Sequence, residues 1–124
     1  MSHFTTIKVE IKNGEILRQS LEELGFKVKR QTLVRGYMGN RVEAEYVIEQ
    51  DHGYDLGFRR HGETYELIAD FWGAMIDPQD FVKLVTQKYA HNSLLATVKN
   101  QGYAIEQQEI LEDGTVRVVV GKWL

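Results

Sequence analysis

Alternating hydrophobic and polar residues predict β-strands along most of the chain. Residues 5–11 alternate with the two-residue period of a half-buried strand. The period returns from Phe26 to about Tyr37, and it is strict from Val42 to Ile48. Met38-Gly39-Asn40 stands between these two stretches and is the predicted turn.

Two segments have the period of amphipathic helices instead. Asn13 is placed to cap the first helix, in which Leu17, Leu21 and Leu24 share one stripe, and Gly25 is placed to end it. This predicts a short helix that packs one apolar face against the strands.

The second helix has a stronger start signal. Asp77 is a capping residue, Pro78 occupies the first helical position, and Gly102 marks the exit. At about 1.5 Å per residue this helix is some 35 Å long. Its apolar stripe contains Phe81, Leu84, Val85, Leu95 and Val98.

A β-hairpin is predicted around a turn at His61-Gly62. In this register Phe58 faces Tyr65 on the apolar side of the sheet. Arg59 and Glu66 become diagonal neighbours on a solvated side, where such pairs contribute a few tenths to about 1 kcal/mol. A type I′ turn needs positive φ, which histidine tolerates better than most residues. A second hairpin is predicted at Asp113-Gly114.

The resulting order is β-α-β4-α-β2. It predicts an α+β fold in one domain, residues 1–124, with an antiparallel sheet of about seven strands and both helices on one face. The strand from Thr115 to Gly121 is a candidate for pairing between subunits; the oligomeric state is left open.

Composition limits the classes of function. The 124 residues are 43% hydrophobic and 27% charged, with no cysteine and a net charge of −3. This balance is typical of a globular protein and excludes thiolate chemistry. No apolar run reaches the roughly 20 residues of a membrane span, and the N-terminus lacks signal-peptide zones. We expect a cytoplasmic protein without a cofactor, and the mild acidity argues against nucleic-acid binding.

The histidines do not predict a metal site. His52 and His61 lie at opposite ends of one predicted strand, and His3 and His91 are isolated in sequence. The serines are not in nucleophile elbows, and no catalytic motif is found, so enzymatic activity is not the favoured hypothesis.

Four residues are candidates for binding a small ligand. Arg35 and Tyr37 flank a glycine and have the chemistry to clamp an anionic or planar molecule, although packing at a strand end is the commoner role. Tyr89 and His91 interrupt the apolar stripe of the long helix. They either line a cavity between helix and sheet or form hydrogen bonds at the margin of the core.

Four acids are also singled out. Glu43, Glu45 and Glu49 are expected on one solvated strand face, which is able to dock a basic partner. Asp70 stands where the sheet gives way to the second helix. It is interpreted as a surface or capping acid, with a perturbed acid as the alternative.

Six sequence blocks resemble one family, the hypothetical chloroplast reading frame thirty-five family: MSHFTTIKVEI, VRGYMGN, GYDLGFRR, YELIAD, QKYAHN and DGTVRVVVGKW. This is a family of small proteins of unknown function from cyanobacteria, algal plastids and some other bacteria. The resemblance implies a stromal location where the gene is in a plastid. It also implies association with AAA-type ATPases and small ferredoxin-like proteins. The family pattern has an aromatic-histidine pair where this chain has His91-Asn92.

Two functions follow as hypotheses. The first is a non-enzymatic accessory or adaptor protein that acts through protein contacts. The alternative is a small-ligand-binding protein with a pocket between the sheet and the long second helix.

Overall fold

A computed structural model describes residues 3–122, without the side chains of residues 103–107 and 122. Its elements, in chain order, are β1 (Thr5–Lys8), α1 (Gly14–Glu23), β2 (Val28–Arg35), β3 (Arg41–Ile48), β4 (Leu56–His61), β5 (Thr64–Ala69), α2 (Phe71–Ala74), α3 (Pro78–Asn100), β6 (Tyr103–Ile110) and β7 (Val116–Lys122). The α+β class and the order of strands and long helices are confirmed. The one-turn helix α2 is an addition to the predicted order.

Five strands form one antiparallel sheet in the order β1-β5-β4-β3-β2, and β6 pairs with β7 in a separate two-stranded sheet. The expectation of one sheet of about seven strands is therefore wrong. The 23 residues of α3 make it longer than any strand of the sheet. The chain that follows it packs against α3 instead of extending the five-stranded sheet.

Helices α1 and α3 lie on the same face of the five-stranded sheet, as predicted. Leu17 and Leu21 of α1 share a buried cluster with Phe81 and Val85 of α3. Leu84 is 44% exposed, so the predicted stripe of α3 is wrong at this position. The sheet contributes Tyr46, Ile48, Leu56, Phe58, Tyr65, Leu67 and Ala69 to the cluster.

Both helices begin at the predicted caps. The Asn13 carboxamide oxygen accepts a hydrogen bond from the Ile16 amide at 3.1 Å. One carboxylate oxygen of Asp77 accepts from the amides of Gln79 and Asp80 at 2.9 and 3.1 Å. Caps of this kind each stabilise a helix by about 1 kcal/mol.

The β2–β3 hairpin bends back over the other face of the sheet. Its register skips Gln31, whose φ of 50° is left-handed. Beyond the bend, a Cβ built on Gly57 would stand 2.3 Å from Val34 Cγ2 and 3.0 Å from the Ala44 Cβ. A second buried cluster contains Val34, Ala44, Val47 and Ile68. The expectation that this face is solvated is wrong because the hairpin covers part of it.

The register of β4 with β5 differs by two residues from the expected one. Phe58 lies opposite Leu67 rather than Tyr65. A shift of two leaves each residue on its expected face of the sheet. It also places Arg59 directly opposite Glu66, and their side chains form a 2.6 Å salt bridge.

The β4–β5 and β6–β7 turns each place a glycine in the left-handed conformation. Gly62 has φ 68°, whereas His61 ends β4 and is not among the residues with positive φ, so the predicted turn is displaced by one residue. In the second hairpin Gly114 has φ 88°, and the Asp113 carboxylate accepts from the Thr115 amide at 2.9 Å. The predicted hairpin around Asp113-Gly114 is thus confirmed, with its turn closed by the Gly114 amide, which donates to the Leu111 carbonyl at 2.9 Å.

Candidate functional site

The bent β2–β3 hairpin ends at a tip, residues 35–40, which is fastened to the sheet by a fully buried carboxylate. Asp55 precedes β4 and is 0% exposed. Its Oδ2 accepts from the amide and Nε of Arg35 at 2.9 and 2.8 Å. Its Oδ1 accepts from Nη2 of Arg35 at 2.8 Å and from the Gln50 amide at 3.0 Å. In the reverse direction, the Asp55 amide donates to the Arg35 carbonyl at 3.0 Å.

This network fixes the charge of both partners. Burial alone raises the pKa of Asp55, but the hydrogen bonds from Arg35 and Gln50 outweigh it and hold the pKa below its usual range. The bond to Asp55 also raises the pKa of Arg35. A guanidinium that meets a carboxylate with two N–H groups makes a strong, directional pair. The Nε and Nη2 donors of Arg35 are therefore used inside the protein.

A second buried carboxylate holds the next part of the tip. Asp70 is 0% exposed, and its Oδ2 accepts from the Tyr37 amide at 3.0 Å. It occupies the residue before α2, but its side chain makes no capping bond there. Its Oδ1 is buried without a hydrogen-bond partner among the described residues. The interpretation of Asp70 as a surface or capping acid is wrong, because the hairpin tip closes over it.

Large apolar side chains project into solvent on this tip and on the segment that follows Asp70. Met38 is 82% exposed, Trp72 78% and Met75 83%. The Tyr37 ring, next to Met38 in the chain, meets the Trp72 ring edge to face, with centroids 6.2 Å apart. The His3 ring contacts the same tyrosine at 4.5 Å. We call Met38, Trp72 and Met75 the tip surface.

Two residues of the tip surface have strained backbones. Met38 has φ 52° and Met75 has φ 59°, in the left-handed region that disfavours residues with a Cβ. Such conformations cost about 1–3 kcal/mol each and persist where the surroundings impose them. The fold thus stabilises an arrangement that exposes two methionines.

The other two predicted ligand-binding residues lie elsewhere. The Tyr89 hydroxyl accepts from the amides of Lys12 and Asn13 at 3.2 and 3.0 Å, and so ties α3 to the start of α1. His91 Nε2 bonds to the Gln108 side chain of β6. The structure does not bring Tyr89 and His91 together with the tip.

Polar residues in the middle of α3 also join the two long helices. The buried Asn92 amide donates to Ser20 Oγ and to a Glu23 carboxylate oxygen, each at 3.0 Å. Between the first turns of α3 and the sheet, the Phe58 and Phe81 rings pack with centroids 6.1 Å apart, in the same buried cluster as Val85. Cavities of about 490, 470 and 380 Å³ lie at the β2–β3 bend, at the start of α1 and beside the β3–β4 connection.

The three glutamates do not form one acidic face. Glu49 pairs with Lys29 at 3.0 Å. Val47, two residues before Glu49, is fully buried. Glu43 and Glu45 line the 490 Å³ groove at the bend. Neither forms a salt bridge with another described side chain.

Glu45 also reaches the cavity at the start of α1. Burial, and then the Glu45 carboxylate near its hydroxyl, raise the pKa of Tyr65. The Arg60 guanidinium stacks over the same ring, 4.6 Å from its centroid. This cavity is polar and open. Its lining contains charged side chains of both signs, and one of them, Arg60, already stacks on Tyr65.

The described part of the chain lacks two kinds of feature. Within it, no three histidine, aspartate or glutamate side chains come together as metal ligands. No helix in the same residues is both long and apolar enough to cross a bilayer.

Comparison with known proteins places the chain in a family. Residues 20–119 match the family model "Protein of unknown function (DUF1257)". The chain is 34% identical to the "Uncharacterized protein ycf35" of Guillardia theta, over 99% of this chain and 98% of that protein. It is 29% identical to the proteins of that name from Cyanophora paradoxa and Pyropia yezoensis, with the same coverage. No solved structure matches.

The matched region contains every residue that fastens the tip and all three residues of the tip surface. The resemblance drawn from the six sequence blocks is confirmed, and it extends over the full length of these relatives. This chain belongs to the DUF1257 family of proteins of unknown function.

Proposed function

We propose that this protein is a non-enzymatic accessory protein that binds a protein partner through the tip surface. One observation carries the proposal: Met38 on the hairpin tip, and Trp72 and Met75 in the segment that follows Asp70, are each about four-fifths exposed, and two fully buried carboxylates fasten the tip. An exposed apolar surface on a rigid support is typical of a protein-binding site.

The side chains suit this role. Tryptophan is among the residues that contribute most when a protein interface is formed. Methionine is flexible and polarisable, so it adapts to the shape of a partner. Burying one such side chain contributes about 1.5–3 kcal/mol. Because the bonds from Asp55 and Asp70 already order the tip, binding loses little conformational entropy.

Charge supports a basic region on the partner. Glu43 and Glu45 line the groove on the bent hairpin, and Arg59, the cation of that groove, is paired with Glu66. A lysine or arginine on the partner would neutralise these two carboxylates at the edge of the contact. Of the three glutamates expected to face a partner, Glu43 and Glu45 belong to this proposal, whereas the Glu49 carboxylate is used by Lys29.

The first partners to test are an AAA-type ATPase and a small ferredoxin-like protein from the same cytoplasm or stroma, the two classes that the family resemblance implies. Each is purified and titrated against the wild-type chain and Trp72→Ala. If either binds, we expect Trp72→Ala to weaken the affinity at least about tenfold, or 1.4 kcal/mol.

Leu84→Ala is the matched control, because Leu84 is an exposed apolar residue on α3, outside the tip surface. It should leave the affinity unchanged. If neither class binds, partners captured from a host lysate are compared between wild type and Trp72→Ala. Equal recovery by both proteins, or equal affinity of both for a purified partner, would contradict the proposal.

A further inference from the structure

The C-terminal hairpin forms a sheet of only two strands. Strands β6 and β7 pair from Tyr103↔Lys122 to Ile110↔Val116, and the described chain supplies no third strand. A two-stranded sheet is marginal in water unless a further strand or a helix packs against it. Here α3 packs mainly against β6, with His91 bonded to Gln108.

Most other strand edges of the molecule carry features that prevent pairing. At one end of the five-stranded sheet, β1 has four residues. At the other, β2 has the exposed charges of Lys29 and Arg30 beside the left-handed Gln31. Strand β6 has a bulge between Ile105 and Gln107. Short strands, charges and bulges are the usual protection of an edge.

Strand β7 lacks these features. Over residues 116–120, which read VRVVV, the strand has no bulge and a single charge, Arg117, which is paired with Glu109 on β6; Lys122 stands at the end of the strand. Exposed apolar side chains accompany it: Ile110 is 49% exposed, Leu111 42% and Val120 38%. A regular, valine-rich edge with low charge is a template for another strand.

We propose that β7 pairs antiparallel with β7 of a second copy of this chain, so that two hairpins form one four-stranded sheet. An antiparallel pair of identical strands is self-complementary about a two-fold axis. In a register centred on Val119, Val118 of one copy lies opposite Val120 of the other, and Arg117 lies opposite Gly121. The valines meet at the centre while the two arginines stay at opposite ends, which avoids like-charge contact.

A second copy is favoured over a different partner because this register places valine opposite valine and keeps the two Arg117 side chains apart. No other sequence is needed to complete the pairing. A seven-residue strand pair is smaller than the standard interface of about 1,600 Å². The dimer should therefore dissociate in the micromolar range. This proposal is independent of the tip surface, which lies on other elements of the chain.

Cysteine cross-linking tests the contact directly, because the chain has no cysteine of its own. Under mild oxidation, Val119→Cys should form a disulfide-linked dimer, since the two copies of residue 119 meet at the axis. Gln108→Cys is the matched control: it is exposed on β6, away from the proposed edge. It should remain monomeric at the same protein concentration.

Sedimentation equilibrium of the unmodified chain supplies the second measurement. We expect the mass to rise from monomer to dimer across the micromolar range. Val120→Lys, a charge at a partly exposed edge position, should hold the chain monomeric with an unchanged circular dichroism spectrum. A chain that stays monomeric throughout, or equal cross-linking of Val119→Cys and Gln108→Cys, would overturn the proposal.

Discussion

The β2–β3 and β6–β7 hairpins have strands of seven or eight residues but are held in different ways. The first belongs to the five-stranded sheet, and its tip is fastened by two fully buried acids, Asp55 and Asp70. The second rests on α3 outside that sheet. Its turn acid, Asp113, is exposed and bonds to the Thr115 amide within the same turn.

The contrast shows what a buried carboxylate does for a hairpin. A buried charge is costly unless partners satisfy it, so Asp55 is stable only where Arg35 and Gln50 surround it. If the β2–β3 tip moved away, Asp55 would be left as a buried charge without these donors, so the tip is held in one position. The β6–β7 hairpin has no such requirement among its described side chains. The first hairpin therefore presents side chains from a fixed tip, and the second presents a main-chain edge.

Removing a buried carboxylate should have the largest effect. Asp55→Ala leaves the Arg35 guanidinium and the Gln50 amide without their acceptor. Breaking such a pair costs about 3–5 kcal/mol, and we expect the lower end because Arg35 is 38% exposed. Urea unfolding measures the loss. The matched control is Asp113→Ala, which should change stability far less; similar losses in both variants would contradict the contrast between the hairpins.

The charge of Asp55 also predicts a pH dependence. The pKa of Asp55 is lowered in the folded protein. Its stabilising contribution is therefore complete above the unfolded pKa of about 3.9 and is lost as the pH falls through the folded pKa. Asp55→Asn should flatten this acid limb of the stability curve. A variant that kept the wild-type acid limb would show that other groups govern it.

The bend of the first hairpin gives an intermediate effect. A methyl group on Gly57 would stand 2.3 Å from Val34 Cγ2, so Gly57→Ala should cost about 1–3 kcal/mol through overpacking. Val34→Ala in the same chain removes the opposing methyl groups and should recover part of this loss. A double-mutant cycle from thermal unfolding measures the coupling. Additive losses would mean that the hairpin does not lie over Gly57.

The helices and strands could be predicted because each is marked by residues within its own segment. Asn13 and Asp77 mark helix starts, and alternation marks strands, whatever the rest of the chain does. The register of the β4–β5 hairpin is not determined by such local signals. Moving the turn by one residue, from His61-Gly62 to Gly62-Glu63, keeps every side chain on its face, so the hydrophobic pattern does not distinguish the two registers.

The candidate site depends on non-local contacts that periodicity does not contain. Arg35 and Asp55 are 20 residues apart and meet only because β2 and β3 bend at Gln31. Gln31 has a positive φ although it is not a glycine, so its residue type does not mark the bend in the sequence. Trp72 follows Phe71 in a largely apolar stretch that is typical of core, although it is exposed. Asp55 and Asp70 each stand between apolar residues at the end of a strand, and this pattern is the sequence signal that indicates a buried polar contact.

The smallest effect should come from the salt bridge of the second hairpin. Arg117 and Glu109 meet at 3.4 Å with side chains 68% and 43% exposed. Exposed pairs contribute about 0–1 kcal/mol because water and salt screen them. Arg117→Ala, measured at a concentration where the chain is monomeric, should therefore change the free energy of unfolding by less than about 1 kcal/mol. Glu109→Ala completes a double-mutant cycle, and added salt should reduce its coupling energy further. A coupling as large as the loss caused by Asp55→Ala would mean that the second hairpin, like the first, is held by a charge pair shielded from water.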